Sequence, residues 1–192
     1  MLVSHKHKLV IFTLERTASQ SIHSGISNLF DVCIDGRKYR HINASEFAHY
    51  IEPFLSTKYY KISIFREPIS WCISGYSKII SHPFERKISF NKWLSLDPNW
   101  ISQYNRLSYN KQFYIDQVFD FNKLNLFTDF ISSVFNTKIL LPHFGKTEQK
   151  NVAPTLSDLE YIHSHLDKDI NFYKSIVDAG GKLIINPYQS TI

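Results

Sequence analysis

Apolar positions along the chain fall into two alternating patterns, short continuous runs and helical spacings. Lys8–Thr13 (KLVIFT) is an unbroken apolar run of strand length. It breaks into a polar turn, Leu14–Ser19. Ser19–Phe30 then carries Ile22, Ile26 and Leu29 at helical spacing. Asn43–Phe54 predicts a second helix, with Asn43 or Ser45 as N-cap. Tyr59–Phe65 (YYKISIF) predicts a strand that ends at Arg66-Glu67-Pro68. A helix follows over Ile69–Ile80, with Pro68 in its first turn, where a missing N–H is tolerated. Ser81–Asn110 reads as irregular or partly helical, and Phe113–Phe119 as a further strand. Leu124–Phe135 predicts an amphipathic helix, Lys138–Leu141 a short strand, Pro142–Asn151 a polar loop, and Leu156–Val177 one long helix or two short ones. The residues after it read as a tail. Strands alternating with helices imply an α/β fold, a central parallel sheet flanked by helices, in a single domain spanning residues 1–192.

Composition narrows the classes. Hydrophobic residues make up 43% of the 192 and aromatics 15%, which excludes disorder and supplies a core. The formal net charge of +5 favours an anionic partner. The basic residues are scattered rather than gathered in an arm, so nucleic acid is not the expected partner. Cys33 and Cys72 lie far apart without CxxC spacing, so neither a zinc site nor a disulfide framework is predicted. Met1–Lys8 lacks the apolar run of a signal peptide, and no stretch has the length of a membrane span. The expectation is a cytoplasmic enzyme.

Two segments carry candidate chemistry. The first is the turn after the first strand, within TLERTASQSI. A strand that feeds a helix through a tight polar loop gathers backbone N–H groups and a helix N-terminus at one point, which suits a phosphate. Thr17, Ser19 and Ser21 add hydroxyls, and Arg16 adds a permanent charge. The nucleotide triphosphatase pattern GxxxxGK[ST] is absent. The second segment is IFREPISWCISGY. Arg66 leaves the carboxyl end of a strand, where ligands of open α/β sheets sit, and Ser74 lies two helical turns further on. Read singly, each segment also fits a plain reading: an ordinary Ser/Thr-rich turn, and an Arg salt bridge beside an incidental helix serine.

Together the two segments, about 50 residues apart, resemble the sulfotransferases that use 3′-phosphoadenosine 5′-phosphosulfate (PAPS). RTASQSI looks like the family's 5′-phosphosulfate loop, and FREPISWCISGY like its 3′-phosphate motif. The resemblance implies a P-loop-like three-layer fold. It implies that Arg16, Thr17, Ala18, Ser19, Gln20, Ser21 and Ile22 hold the 5′ end, and that Arg66 and Ser74 hold the 3′-phosphate. RHINASEF is similar to the segment of carbohydrate 2-O-sulfotransferases that carries a catalytic His, which places the base at His41. HFGKTEQKN is similar to a late loop that closes over the nucleotide, which implies Lys146, Thr147 and Lys150. DINFYKSI looks like the closing helix. The sequence departs from the family pattern at Glu15, a negative charge beside an anion site, at Ala18, where Gly is common, and at Gln20, where Thr or Ser is common.

The implied activity is in-line transfer of a sulfuryl group from PAPS to a hydroxyl, with a carbohydrate as acceptor class and no metal required. Arg16 would stabilise charge on the leaving phosphate, and His41 would act as general base, with Glu46, His23 and Glu15 as rivals. Two alternatives come from other classes. A nucleotide or metabolite kinase would need a Lys-Ser/Thr pair in the loop and an Asp for Mg²⁺ after a strand. A non-catalytic nucleotide or polyanion binder would keep the fold without turnover.

Overall fold

In the computed structural model, which describes residues 1–36, 40–81, 88–96, 101–143 and 152–187, the first apolar run does not stand alone. The strand β1 (Leu2–Ser4) turns through His5–Lys8 into β2 (Leu9–Phe12), pairing antiparallel with Leu2 opposite Ile11. Lys8, at φ 49°, takes the left-handed conformation that closes this turn. Sequence reading began the sheet at Lys8. Three apolar residues at the start of the chain are too short a signal to separate from a loop until β2 gives them a partner.

Beyond β2 come α1 (Ser19–Ile26), the edge pair β3 (Val32–Cys33), α2 (Ala44–Tyr50), β4 (Tyr60–Phe65), α3 (Pro68–Ile80) and α4 (Phe90–Leu94). A one-turn helix α5 (Gln103–Arg106) leads into a small hairpin, β5 (Ser108–Tyr109) and β6 (Gln112–Phe113). Then follow β7 (Gln117–Asp120), α6 (Leu124–Phe135), α7 (Leu156–His165), α8 (Asp167–Asp178) and β8 (Lys182–Ile184). The main sheet has six strands in the order β3-β1-β2-β4-β7-β8. The three central strands are parallel, and the strands outside them are antiparallel. The predicted parallel sheet is therefore the middle of a mixed one.

Alternate residues of the central strands enter opposite faces, as the period of two requires. Leu9, Ile11, Ile62, Ile64 and Phe119 pack with Ile22 and Ile26 of α1 and Phe127 and Ile131 of α6. Val10, Phe12, Phe65 and Val118 pack on the other side with Phe47 of α2 and Ile176 of α8. Helices thus cover both faces, giving three layers. A further cluster, Trp71, Cys72, Phe90, Trp93, Ile162 and Leu166, lies among α3, α4 and the junction of α7 with α8.

Local signals explain most boundaries. Asn43 caps α2 in a capping box with Glu46, and Thr155 caps α7 in another with Asp158. Glu67 caps α3 through the N–H groups of Ile69 (3.0 Å) and Ser70 (2.6 Å), with Pro68 at the first helical position. Leu156–Val177 divides at Leu166 into two helices. Lys138–Leu141 is not a strand. Of the residues read as a tail, Lys182–Ile184 form β8, and 188–192 lie outside the described residues. Gly180 and Gly181, at φ 76° and 95°, end α8 in the left-handed region and return their N–H groups to Val177 and Ile176. The chain then runs antiparallel along β7, with Leu183 opposite Val118. Among the described residues no helix is long and apolar enough to cross a membrane.

Because β8 closes the sheet and Leu183 packs against the α2/α8 core layer, Leu183→Asp is expected to lower stability by about 1–3 kcal/mol, the cost of burying an unpaired polar group. Urea denaturation measures this; a true tail would show no change.

Candidate active site

β2 and β4 are adjacent and parallel, with Phe12 level with Ser63. Their carboxyl ends therefore deliver the Leu14–Ala18 loop and Arg66 to the same edge of the sheet. The loop is tightly wound. Arg16 and Ala18 both sit at φ 62°, and the Thr17 hydroxyl donates to Leu14 O at 2.8 Å. Trp71, fully buried in α3, donates its indole N–H to Glu15 O at 2.9 Å. Ala18, the N-cap residue of α1, is left-handed and its methyl side chain makes no capping hydrogen bond. The first turn of α1 supplies Ser19 and Ser21, both buried, and Gln20, exposed. The Ile22 side chain lies in the core and its N–H is bonded to Ala18 O, so it serves the scaffold.

Two guanidiniums converge on one face of α3. Arg16 donates through Nε to Ser74 Oγ at 2.9 Å. Arg66, only 9% exposed, donates through Nε and Nη2 to Ser70 Oγ at 3.1 and 2.8 Å, and through Nη1 to Arg16 O at 3.2 Å. Its guanidinium lies 4.6 Å over the Phe121 ring. These acceptors of Arg66 are neutral, and the neighbouring Glu67 carboxylate is committed to capping α3. Burial lowers the pKa of both arginines, and for Arg66 the like charge of Arg16 adds to it, partly offset by Glu67. Both remain charged at any working pH. Ser70 and Ser74 are one helical turn apart. Each accepts from a guanidinium. The arrangement gathers two shielded guanidiniums and two serine hydroxyls on one helix face, a chemistry suited to phosphate or sulfate oxygens.

His41 stands at the root of the same loop. Its Nδ1 donates to Thr13 O at 2.6 Å, which fixes the tautomer and leaves Nε2 as the basic nitrogen. Burial pushes its pKa below 6.5; Glu15 and the bond to Thr13 O oppose this, while Arg106 and the Met1 amino group add to it. His41 is therefore neutral at pH 7. Glu15, the unexpected negative charge of the loop, pairs with Arg106, which also donates to His41 O at 3.1 Å. The rivals for the base have other tasks. Glu46 belongs to the α2 capping box. His23 is 4% exposed and tied to Thr13 Oγ1 (3.1 Å) and Asp35 (3.3 Å), with its pKa lowered to about 4, chiefly by burial and then by the Met1 amino group.

The structure thus brings Arg16, the loop, the first turn of α1, Arg66, Ser74 and His41 to one end of the sheet. Lys146, Thr147 and Lys150 lie outside the described residues. Sequence reading missed Ser70, Phe121, Gln103 and Arg106, and the capping role of Glu67. Only Glu67, directly before a helix-initial proline, and Ser70, one turn before Ser74, left a readable signal; the rest are tertiary partners. Asp120, which ends β7, accepts from Asn122 N (2.9 Å) and the Tyr173 hydroxyl (3.2 Å), so this strand-end carboxylate is already engaged. Among the described residues no group of His, Cys, Asp or Glu is arranged to hold a metal ion.

Ala18, at φ 62°, occupies the left-handed region that glycine enters without strain. Ala18→Val is expected to destabilise the protein by about 1–3 kcal/mol through backbone strain, whereas Ala18→Gly stays within about 1 kcal/mol of the parent. Thermal or urea melts of the pair decide it; equal melting would remove the strain from the loop. No protein-family model matches the chain, and no curated protein or solved structure matches it.

Proposed function

We propose that the chain is a PAPS-dependent sulfotransferase with a P-loop-like nucleotide site, acting on a hydroxyl acceptor, with carbohydrate the acceptor class that the sequence resemblance implies. The observation that carries this reading is the convergence of Arg16 and Arg66, from adjacent strand ends, on Ser74 and Ser70 of one helix. Arg66 is buried and Arg16 half-buried, and the like charge of Arg16 adds to the cost of Arg66, which an anion would relieve. A nucleotide with phosphate at both its 3′ and 5′ positions would meet that demand, one phosphate for Arg66 and the other for the Arg16 loop. Glu15 does not spoil the site, because Arg106 neutralises it.

Bound PAPS supplies an activated sulfuryl group whose departure leaves charge on a phosphate. Arg16 and the amides of the loop are placed to stabilise that charge, by preorganised electrostatics rather than bond making. Arg66, Ser70 and Ser74 anchor the 3′-phosphate. His41 Nε2 takes the proton of the acceptor hydroxyl, while Thr13 O holds the opposite ring nitrogen in its protonated form.

Isothermal calorimetry without metal is expected to show adenosine 3′,5′-bisphosphate binding much more tightly than AMP. Arg66→Ala should lose roughly 2–4 kcal/mol of that binding and Ser74→Ala about 1 kcal/mol. Equal affinity for the two nucleotides would sink the proposal.

His41→Ala should leave nucleotide affinity nearly unchanged and reduce turnover by about 10²–10⁴-fold. Only neutral imidazole can accept the proton, and burial holds this one below 6.5. The acid limb of the wild-type pH–rate profile should therefore lie at lower pH than for an ordinary histidine, and it should vanish in the mutant. Full activity with the same acid limb would remove His41 from the mechanism.

A further inference from the structure

The one-turn helix α5 touches both halves of the site. Gln103, 1% exposed, grips the backbone of Arg66 on both sides. Its Oε1 accepts the Arg66 N–H at 3.0 Å, and its Nε2 donates to the Arg66 carbonyl at 2.8 Å. Arg66 is the first residue beyond β4, where sheet pairing ends, so the side-chain amide takes over the pairing that a further strand residue would have made. One turn later, Arg106 reaches the other half. Its Nη1 pairs with the Glu15 carboxylate and its Nη2 donates to the His41 carbonyl at 3.1 Å. The Arg106 side chain is 11% exposed and that of Glu15 22%, so the pair is shielded rather than a solvated surface bridge.

α5 is itself anchored. Ser102, which caps it by accepting from Asn105 N, donates its hydroxyl to Asp169 Oδ2 at 2.6 Å, and Tyr104 N donates to Asp169 Oδ1 at 3.0 Å. Asp169, 1% exposed, lies in the first turn of α8. A four-residue helix has little stability of its own. Its place is set by Asp169 and by packing of Tyr104 against Phe113 and Phe172 on one side, and by the site on the other.

We infer that α5 assembles the site, with Gln103 and Arg106 as positioning residues that fix Arg66 and His41 against the Arg16 loop. The inference rests on the sulfotransferase reading for the roles of Arg66 and His41, and its geometry stands apart from that reading. The charged and titratable groups that face His41 are Glu15 from the loop, Arg106 from α5, the Met1 amino group beside β1, and His23 from α1. Arg106 and Glu15 act on the imidazole in opposite directions, so removing them one at a time gives shifts of opposite sign, which general loosening would not produce.

The test uses the whole chain, isotope-labelled, and reads the His41 imidazole and the Arg66 amide by NMR. Arg106→Gln should raise the His41 titration midpoint and Glu15→Gln should lower it. Gln103→Met, which keeps the volume but removes both hydrogen bonds, should speed amide exchange at Arg66 and weaken bisphosphate binding, each by about tenfold. Gln103→Glu keeps the acceptor for the Arg66 N–H and should restore protection at that amide; it also carries the test if the methionine variant does not fold, because fast exchange in the glutamate variant then overturns the Gln103 assignment. Unchanged His41 titration in both charge variants, or equal Arg66 exchange in wild type and Gln103→Met, overturns the inference even if the nucleotide binds. Failure of the wild type to bind bisphosphate, with these shifts present, would instead remove the sulfotransferase reading and leave α5 as the assembling element.

Discussion

A guanidinium buried where β4 ends is the constraint on which the site depends. Arg66 has left the sheet, so its backbone has no strand partner, and its charge has little access to water. Four elements meet its needs: α5 through Gln103, α3 through Ser70, the β2 loop through Arg16 O, and Phe121 beyond β7 through its ring. Each contact would be a minor one elsewhere in a protein. Together they bring the loop, the helix and the strand ends to one place, because a buried cation left with an unmet donor costs more than ordering the groups around it.

The same logic explains why a carboxylate sits in the middle of a cationic site. Glu15 lies one residue from Arg16 in sequence, yet its partner is Arg106, on an element far along the chain. The pairing neutralises Glu15 next to Arg16, whose Nε donates to Ser74 Oγ. It also fastens the loop to the segment that carries His41. Sequence reading treats Glu15 as a departure from the family pattern. In the folded chain it is half of the link between the loop and the candidate base.

What was legible in the sequence was whatever neighbours in the chain decide. β2, β4 and α6 announce themselves by continuous or helical apolar spacing, and the start of α2 by the cap candidates Asn43 and Ser45, of which Asn43 is the cap. The loop and the Arg66 segment were legible because hydroxyls, an arginine and a strand end fall close together. β1 and β8 were not, since three-residue strands take their identity from a partner elsewhere, β2 or β7. The helix break at Leu166 was left open because apolar spacing runs through it. Gln103 and Arg106 were invisible for a related reason. They lie in an aromatic-rich stretch without clear periodicity, and their roles depend on residues tens of positions away.

Asp169 shows how far the support of the site extends. Burial raises its pKa to about 6, against hydrogen bonds from Ser102 and Tyr104 that favour the charged form. A carboxyl group whose folded pKa lies above its unfolded value of 3.8 contributes stability at low pH, and that contribution is lost as pH rises through about 6. At neutral pH the protein therefore holds this carboxylate at a cost to its stability. An apolar residue would remove that cost, but it would leave the Ser102 hydroxyl and the Tyr104 N–H without their acceptor, and α5 has no other anchor of that kind among the described contacts. The ionised group persists at the start of α8 because two donors of the α5 segment need it, and through α5 it bears on Arg66 and His41 without touching either.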